Sequence, residues 1–551
     1  MNILIRSSSY LFPNLEIWKN INNKAKFIFA EYSDFHSNKY FKKNINHEIS
    51  VIFLKDIVET SHVNLSINKE KKKINKIIYL LKKKLEINKS INFITCLSSY
   101  DHLNIVTSAK YETNLSKLRS YFFEKIYNLS KKNSNLYIID IDSIFSEFGF
   151  RNCFDNRNFY SFRCRLSIFG LEKITENLSK LFVRIHKSNK KVLLLDCDNT
   201  LWGGVIGEDG IENIKIGQDG IGLAYQDFQK SIIKLKNKGI ILALVSKNNE
   251  DDVKKVVNKH KSMIIKNKDI SAYKVNWKEK SQNIKKLSED LLLGLDSFVF
   301  WDDNPVEREK VRLNLKTVDV IEPDKDIANW SKQLIEYNGF SKFSSSKEDL
   351  SKTTQYKIRS KFLDKKNEFN DEISYLKKIN IKPKILKISS ENISRAVQMC
   401  LKTNQFNFTT RRYNLNDIKT LNKNSLVFLV NLKDDYGDHG IISLIILKIK
   451  KNILLVDTFL MSCRIMGRYL ENWILDTIKK IAKKNKCNKL IFEFSETKKN
   501  QIARSFINEN NFSLIKNDET KKIRNIFKIS NKSKFFKFDP SKKIKFLEIY
   551  E

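Results

Sequence analysis

Three short polar motifs in the middle of the chain contain the residue types that phosphoryl transfer needs. DCDNT starts at Asp196, SKN starts at Ser246 and DDNP starts at Asp302, while Lys280 lies between the last two. In an extended segment residues i and i+2 face the same way, so Asp196 and Asp198 are predicted to project into one site. One carboxylate can then attack phosphorus, while the other protonates the leaving oxygen and later activates water.

The other polar residues of these motifs have complementary chemistry. Two carboxylates in one site repel each other unless a cation intervenes, which indicates Mg²⁺ with oxygen ligands, and Asp302 and Asp303 supply more carboxylate for it. Ser246 offers a hydroxyl and the segment up to Asn248 offers backbone N–H groups to phosphate oxygens, and Lys280 neutralises the charge of the transferring group. Taken singly, Asp-rich loops are often helix caps and a lone lysine is usually solvated. The order of the motifs favours a catalytic site.

The elements around these motifs predict a doubly wound parallel sheet. The apolar run 191–196 ends in carboxylates and is typical of a strand buried on both faces. An amphipathic helix at 226–238, a buried strand at 240–245, helices at 251–260 and 281–291 and a strand at 297–300 continue the alternation. Ligands of such sheets bind beyond the carboxyl ends of the strands, where the acidic residues collect.

The flanking regions predict further α/β domains. Strands at 51–54, 92–95 and 136–141 and helices at 71–85 and 115–130 indicate an α/β domain over 1–188, in which no catalytic constellation is visible. The polar stretch 341–382 is predicted to be a helical connector. Strands at 426–430, 441–447, 453–459 and 489–494 and helices at 469–484 and 500–509 then indicate a mixed α/β domain. We therefore predict a multidomain α/β protein divided at 1–188, 189–340, 341–382 and 383–535.

Composition limits the classes of protein to consider. No apolar run reaches the roughly 20 residues that span a bilayer, and 1–12 lacks a secretory h-region, so a cytoplasmic protein without a membrane span is expected. Seven scattered cysteines predict neither a disulfide framework nor a zinc site. The net charge of +38 raises a nucleic-acid hypothesis. Lysine is enriched along the whole chain and is not concentrated in one basic stripe interleaved with aromatic residues. We therefore expect no specific nucleic-acid partner. Phosphorylated metabolites and acidic carrier proteins remain plausible partners.

The motif order DxDxT, Ser, Lys, DD resembles that of the haloacid dehalogenase (HAD) superfamily. DCDNTLWGGVIGED from Asp196 and FVFWDDNPVER from Phe298 are similar to its FkbH-like members, the IIIC subfamily. The resemblance implies that Asp196 is the nucleophile and Asp198 the general acid/base, with both also at the metal site. It implies phosphate binding by Thr200, Ser246, Asn248 and Lys280, and metal binding completed by Asp303 and Asp302. The short spacer after Asp198 leaves no room for a cap domain, so a bulky substrate would fit.

The C-terminal region carries further motifs that resemble FkbH-like proteins. These are NQFNFTTRRY from Asn404, GDHG from Gly437 and DTFLMSCRIMGR from Asp457. Arg464, Gly467 and Arg468 resemble the pyrophosphate-binding loop of GNAT acyltransferases, in which a helix N-terminus presents N–H groups to the ligand. This resemblance implies coenzyme A or a phosphopantetheine thiol as ligand. Cys463, beside that loop, is predicted to carry any acyl intermediate, because Cys197 faces the core.

The family resemblance implies a complete reaction. A phosphoglyceryl group from 1,3-bisphosphoglycerate would be captured, dephosphorylated and delivered to an acyl carrier protein, in polyketide or surface-polysaccharide biosynthesis. The region 1–188 resembles the degenerate SGNH-hydrolase-like domain of this family. Two alternatives stay open: a HAD phosphatase whose C-terminal domain is a non-catalytic dock for a carrier protein, and a basic nucleic-acid-binding protein with a phosphatase fold.

Overall fold

The chain divides into two compact units, Met1–Ser188 and Asn189–Glu551, in the computed structural model. The structure describes residues 1–11, 14–31, 44–58, 66–99, 114–186, 190–340, 347–369, 371–497, 499–529 and 533–550. Within these residues there is one sheet in the first unit and two in the second. The predicted α/β class is therefore confirmed. No helix in the described ranges is both long enough and apolar enough to cross a bilayer.

The first unit is built on a parallel sheet. Its strand order is β2-β1-β3-β4-β5, and helices cover it. The strands are β1 (Asn2–Ser7), β2 (Lys26–Phe29), β3 (His47–Phe53), β4 (Asn92–Ser98) and β5 (Leu136–Asp140). The helices are α1 (Leu15–Lys19), α2 (Leu54–Ile57), α3 (Ile67–Ile87), α4 (Asn114–Lys132), α5 (Ile141–Phe148), α6 (Phe150–Cys153), α7 (Asn156–Phe162) and α8 (Ile168–His186).

The second unit begins with another parallel sheet, in the order β10-β9-β6-β7-β8. The strands β6 (Val192–Leu195), β7 (Ile241–Ser246) and β9 (Phe298–Trp301) are buried along their whole length, as the apolar runs predicted, and β8 (Ala272–Val275) and β10 (Asp319–Val320) flank them. The helices are α9 (Ile206–Asn213), α10 (Gly220–Asn237), α11 (Glu250–Lys259), α12 (Lys280–Leu291), α13 (Pro305–Asn314) and α14 (Trp330–Glu336). Because β6 is central, the residues that follow it lie at the middle of the sheet edge.

Two helices follow and lead into a mixed sheet. These are α15 (Lys347–Glu368) and α16 (Glu372–Lys378). The mixed sheet has the order β11-β13-β14-β15-β16-β18-β17, and β12 pairs with β15. Its strands are β11 (Lys382–Lys387), β12 (Phe406–Asn407), β13 (Leu426–Asp434), β14 (Gly437–Lys450), β15 (Ile453–Met461), β16 (Lys489–Phe494), β17 (Ser513–Leu514) and β18 (Lys534–Phe538). Its helices are α17 (Ile393–Lys402), α18 (Leu415–Asn424), α19 (Leu470–Lys484), α20 (Gln501–Glu509) and α21 (Asn517–Phe527).

The strands β15 and β16 are a parallel pair in an otherwise antiparallel sheet, and they separate before they end. Their register runs from Ile453 opposite Lys489 to Val456 opposite Phe492. Beyond that point β12 pairs with the end of β15, and the next residue, Phe408, donates its N–H to Phe459 O at 3.1 Å and accepts from Ser495 N at 2.7 Å. The chain's own segment 406–408 therefore fills the opening between the two strands.

Candidate active site

The carboxyl ends of β6 and β9 bring three carboxylates together. Leu195 lies opposite Trp301 in the parallel register, so Asp196 and Asp302 are the first residues beyond two neighbouring strands. The Asp196 N–H donates to Trp301 O at 3.1 Å, which fixes the start of the loop. One oxygen from each of Asp196, Asp302 and Asp303 lies within 4.8 Å of the others.

Lys280, the first residue of α12, supplies the positive charge of this cluster. Its Nζ lies 2.6 Å from Asp302 Oδ2 and 3.0 Å from Asp196 Oδ2. Burial by itself lowers the pKa of Lys280, but attraction to Asp196 and Asp302 outweighs burial and raises the pKa above its ordinary value. The ammonium is therefore charged and 3% exposed.

The cluster fits a divalent cation. Asp196 Oδ1 is buried and accepts no hydrogen bond from any described residue. Burial, and then the charge of Asp196, raise the pKa of Asp302, so the ionised form of this carboxyl is unfavourable here unless positive charge beyond that of Lys280 is supplied. Hard divalent ions such as Mg²⁺ bind carboxylate oxygens of this kind. Asp196, Asp302 and Asp303 would hold the ion.

Asp198 lies beside this cluster without joining it. Its Oδ1 accepts hydrogen bonds from Trp202 Nε1 and Ile206 N, both at 3.0 Å, and its Oδ2 accepts from Asn248 Nδ2 at 2.7 Å. Its carboxylate is not one of the three whose oxygens lie within 4.8 Å of one another, so the side chain is not placed as a metal ligand. Burial raises the pKa of Asp198 despite these donors, and the charge of Asp196 adds to the rise. A carboxyl with a raised pKa holds a proton more readily, which suits acid/base work.

The other residues predicted for phosphate contact lie around the same edge. Thr200 is fully buried and donates from Oγ1 to Asp303 Oδ1 at 3.1 Å, so it orients a carboxylate of the cluster. Ser246 ends β7, is 2% exposed, and its side chain bonds to the Cys197 thiol. The amide of Asn248 is used in holding Asp198.

Two features of the segments next to the motif residues are not evident from the motifs themselves. Lys247 binds Glu307 at 3.0 Å and lies 3.6 Å from Glu279, so its charge is paired. Trp277, three residues before Lys280, is 76% exposed. The neighbouring Asn276 donates from its N–H to Ser246 O at 3.0 Å and binds the side chain of Asn283. The available signal in the sequence was the segment NWKEK at 276–280, in which a tryptophan lies three residues before Lys280.

The predicted acyl-binding residues share one loop between β15 and α19. Gly467 has φ +87°, a conformation that favours glycine. Arg464 Nη2 donates to His439 O at 2.7 Å, and its Nη1 bonds to Gln355 Oε1. The side chain of Cys463 is half-buried.

Arg468 points into the protein. Its side chain is fully buried, with Nε 2.8 Å from Asp434 Oδ2 and the guanidinium 3.9 Å from the centre of the Phe362 ring. Asp434 also contacts His439 Nε2 at 2.8 Å. These contacts hold Arg468 in the core beneath the loop, so its charge is not presented to a ligand on the surface.

A second buried polar cluster lies where β15 and β16 separate. Asp457 and Glu493 occupy the positions just after the last paired residues, and Arg411 bridges them at 2.6 and 2.7 Å. Tyr413 donates to Asp457 Oδ2 at 2.7 Å and Lys448 binds Oδ1 of the same carboxylate at 2.5 Å. The cluster anchors the segment that follows β12. Arg411, Tyr413 and Asp457 belong to the C-terminal motifs quoted above, but their contact with one another was not predicted.

Comparison with known proteins relates these features to a phosphatase. No family model matches the chain, and no curated protein matches it. Among solved structures, the N-terminal part of the protein BF1531 from Bacteroides fragilis, which contains a phosphatase domain complexed with Mg, is 27% identical. The match covers 62% of this chain and 94% of that chain with a TM-score of 0.53. The α/β fold and carboxylate cluster are thus found in a chain similar to a protein with a magnesium-bound phosphatase domain.

Two acetyltransferases also match over a smaller part of the chain. A GNAT-family acetyltransferase from Staphylococcus aureus Mu50 is 14% identical, covering 29% of this chain and 100% of that chain with a TM-score of 0.23. The PaiA N-acetyltransferase from Thermoplasma acidophilum, in complex with coenzyme A, is 14% identical, covering 29% and 99% with a TM-score of 0.22. At these TM-scores the likeness carries no further conclusion.

Proposed function

We propose that this chain is a Mg²⁺-dependent phosphoryl-transfer enzyme of the haloacid dehalogenase type, with Asp196 as nucleophile. The observation that carries the proposal is the buried Oδ1 of Asp196, which accepts no hydrogen bond from the described residues and lies in a cluster of three carboxylates and Lys280. A nucleophilic carboxylate needs a free oxygen and nearby positive charge, and this arrangement supplies both. The 27% identity to a protein with a Mg-bound phosphatase domain supports the same reaction class.

The residues divide the reaction between them. An Asp196 oxygen forms a bond to phosphorus as the bond to the leaving oxygen breaks, and Asp198 gives that oxygen its proton. Asp198 then takes a proton from water, whose oxygen attacks the aspartyl phosphate, releases phosphate and restores Asp196. Lys280 offsets the charge of the transferring group. When bound, Mg²⁺ supplies charge neutralisation for the phosphate oxygens.

The finer proposal follows the FkbH-like motifs. The phosphorylated substrate would be an acyl group such as glyceryl from 1,3-bisphosphoglycerate, and the mixed-sheet domain would transfer it to a carrier protein or a coenzyme A-type thiol. Polyketide and surface-polysaccharide biosynthesis are the two pathways that the motifs suggest. Cys463, half-buried beside the loop of Arg464 and Gly467, is the proposed site of an acyl intermediate.

A second candidate for the mixed-sheet domain is a non-catalytic dock for a carrier protein. The burial of Arg468 against Phe362 favours it, since this arginine was expected to bind the pyrophosphate of a thiol cofactor. The opening between β15 and β16 favours a dock as well, because the chain's own segment 406–408 fills the space that a ligand between the strands would need.

The phosphatase proposal is tested by Asp196→Asn, which keeps the shape and removes the nucleophilic charge. Hydrolysis of acetyl phosphate should fall by about four orders of magnitude or more. Asp198→Asn should accumulate phosphorylated protein, detected by intact-mass spectrometry. Chelation should remove the activity and added Mg²⁺ should restore it.

Asp227→Asn is the matched control, because this carboxylate is on α10, half-exposed and outside the cluster. Its activity should equal that of the wild type. Full hydrolysis by Asp196→Asn would end the aspartyl-phosphate mechanism.

Acyl transfer and docking are separated by mass spectrometry after incubation with an acyl phosphate. A thioester adduct that is lost in Cys463→Ala and retained in Cys197→Ala supports the acyl-enzyme. Cys197 is the control because it is buried, and burial raises the pKa of its thiol well above the ordinary value. The reverse pattern would contradict the role of Cys463, and no adduct with any variant would contradict it and favour the dock.

A further inference from the structure

Side chains on one face of α15 contact the loop between β15 and α19 from the protein interior. Tyr356 packs in the apolar core of the β6–β10 sheet with Ile284 and Leu287 of α12. Phe362 packs in the core of the mixed sheet, and the Arg468 guanidinium lies over its ring. Residues 355, 356, 359 and 362 recur at helical spacing, so they lie on one side of α15. The helix is thus a component of both cores.

Arg359 is the polar centre of this face. It is 4% exposed, and its Nε donates to Asp290 O, near the end of α12, at 2.7 Å. Its Nη1 lies 3.3, 3.1 and 3.1 Å from the carbonyl oxygens of Cys463, Arg464 and Met466. One guanidinium therefore binds the end of α12 on one side and three carbonyls of the loop on the other.

The same helix α12 reaches the carboxylate cluster at its other end. Lys280 is its first residue and binds Asp196 and Asp302. Between Lys280 and Asp290 the helix rises by about 15 Å. A continuous line of contacts therefore runs from the carboxylates through Lys280, α12 and Arg359 to the loop that contains Cys463.

We propose that Arg359 is a positioning residue that ties the conformation of the 463–466 loop to α12, so that a change at the Lys280 end of the helix alters the loop. The planar fork of arginine donates in several directions at once, which lysine cannot reproduce. Buried carbonyls that lose their donor must find another or move towards water. The proposal concerns two parts of the fold and goes beyond the proposed function.

The rate of alkylation of Cys463 by iodoacetamide reports the state of the loop. Five of the seven cysteines are buried, and Cys487 is half-buried like Cys463, so the full-length chain with Cys487→Ser gives one reactive thiol. In this background Arg359→Met should raise the labelling rate about fivefold or more, because three loop carbonyls lose their donor. Arg359→Lys should give a similar rise.

Lys357→Met is the matched control. Lys357 is on the same helix, and its ammonium binds Asn267 O at 2.7 Å instead of the loop. Its labelling rate should equal that of the parent. An unchanged rate in Arg359→Met, or an equal rise in Lys357→Met, would overturn the positioning role.

A double-mutant cycle tests the link to α12. Sites more than about 10 Å apart without shared partners normally give additive effects. We expect Lys280→Met to raise the Cys463 labelling rate when Arg359 is present and to leave it unchanged when position 359 is Met. Equal factors in both backgrounds, or no effect in either, would show that Arg359 only caps the loop.

Folding and function are kept apart in this design. Far-UV circular dichroism checks each variant, and Lys280→Arg, which retains the buried charge, replaces Lys280→Met in the cycle if the latter does not fold. No substrate, metal or cofactor is used. A failure of the proposed phosphatase therefore leaves this result unaffected, and an absent coupling leaves the phosphatase unaffected.

Discussion

Asp196 and Asp198 occupy neighbouring places in the sequence but different environments. The strand β6 ends at Leu195, and the chain then turns, with Thr200 N and Leu201 N both donating to Cys197 O. Strand alternation therefore predicts that Asp196 and Asp198 share a site but not which carboxylate faces the cluster. Asp198 is held outside the cluster by hydrogen bonds from the indole of Trp202 and the N–H of Ile206. Neither donor was identifiable from spacing alone.

The exposed indole of Trp277 should bind the organic part of a substrate. Its loop is fixed through Asn276, so the ring is available without a cost of ordering the backbone. We expect Trp277→Ala to raise KM for 4-nitrophenyl phosphate about tenfold, because a flat apolar contact is lost, with kcat little changed. KM for acetyl phosphate should stay the same, since it has no aromatic group to stack on the ring.

Tyr160→Ala provides the control for that measurement. Tyr160 is 79% exposed and belongs to the first unit. Its KM values should match those of the wild type for both substrates. Equal losses with both substrates in Trp277→Ala would mean that the ring supports the loop and does not bind substrate.

At the scale of elements, most of the buried strands and several amphipathic helices were predicted, whereas the buried strand β1 and the 19-residue helix α8 were missed. The predicted strands at 240–245 and 489–494 correspond to β7 and β16 within one residue. The strands β8 and β17 and the helix α21 were not predicted. The strands β8 and β17 have four and two residues and are not buried along their whole length. They therefore show neither the continuous apolar run of β6 and β9 nor a visible period of two, and pairing with a neighbour defines them instead.

The contact between β3 and α8 should make the first unit sensitive to acid. His47 starts β3, is 3% exposed, and its ring lies 4.8 Å from Phe182 and 5.1 Å from His186 of α8. Burial, and then the proximity of His186, lower the pKa of His47 from 6.5 to about 4. The unfolded chain therefore takes up a proton below about pH 6.5 that the folded chain refuses down to about pH 4.

The stability contributed by neutral His47 is present above pH 6.5 and is lost as the pH falls towards 4. The expected loss is on the order of 3 kcal/mol in the free energy of unfolding. His47→Phe should reduce this acid dependence in thermal unfolding measured between those pH values. Phe182→Leu should lower the free energy of unfolding by an amount that does not change with pH, because no titrating group is removed. An acid dependence that is unchanged in His47→Phe would contradict the prediction.

At the scale of the whole molecule, the net charge of +38 follows from the residue counts without any knowledge of the fold. The predicted α/β class is confirmed, whereas the joint role of α15 in two cores could not be predicted. Its positions 356 and 362 lie on one side of the helix but belong to different cores, and the buried residue between them is Arg359, so this side does not show the apolar stripe that marks an amphipathic helix. A helix with that pattern is indistinguishable from a connector until its two partners are in place.

The charge should give only weak, salt-sensitive contact with nucleic acid. We expect the affinity for a generic DNA duplex to fall by roughly two orders of magnitude or more between about 50 and 200 mM NaCl, through counterion release. Fluorescence anisotropy with two unrelated duplexes of equal length would measure it, and both should give the same curve. Binding that tolerates salt and prefers one duplex would revive the nucleic-acid hypothesis.

The shared helix α15 also restricts how this chain can diverge. A gene exchange that joined the β6–β10 sheet of one relative to the mixed sheet of another would have to choose a parent for α15. Whichever parent supplied it, either Tyr356 or Phe362 would face a core to which it had not adapted, and Arg359 would meet one unfamiliar set of carbonyls. Recombination between the two sheets of the second unit should therefore be tolerated only rarely.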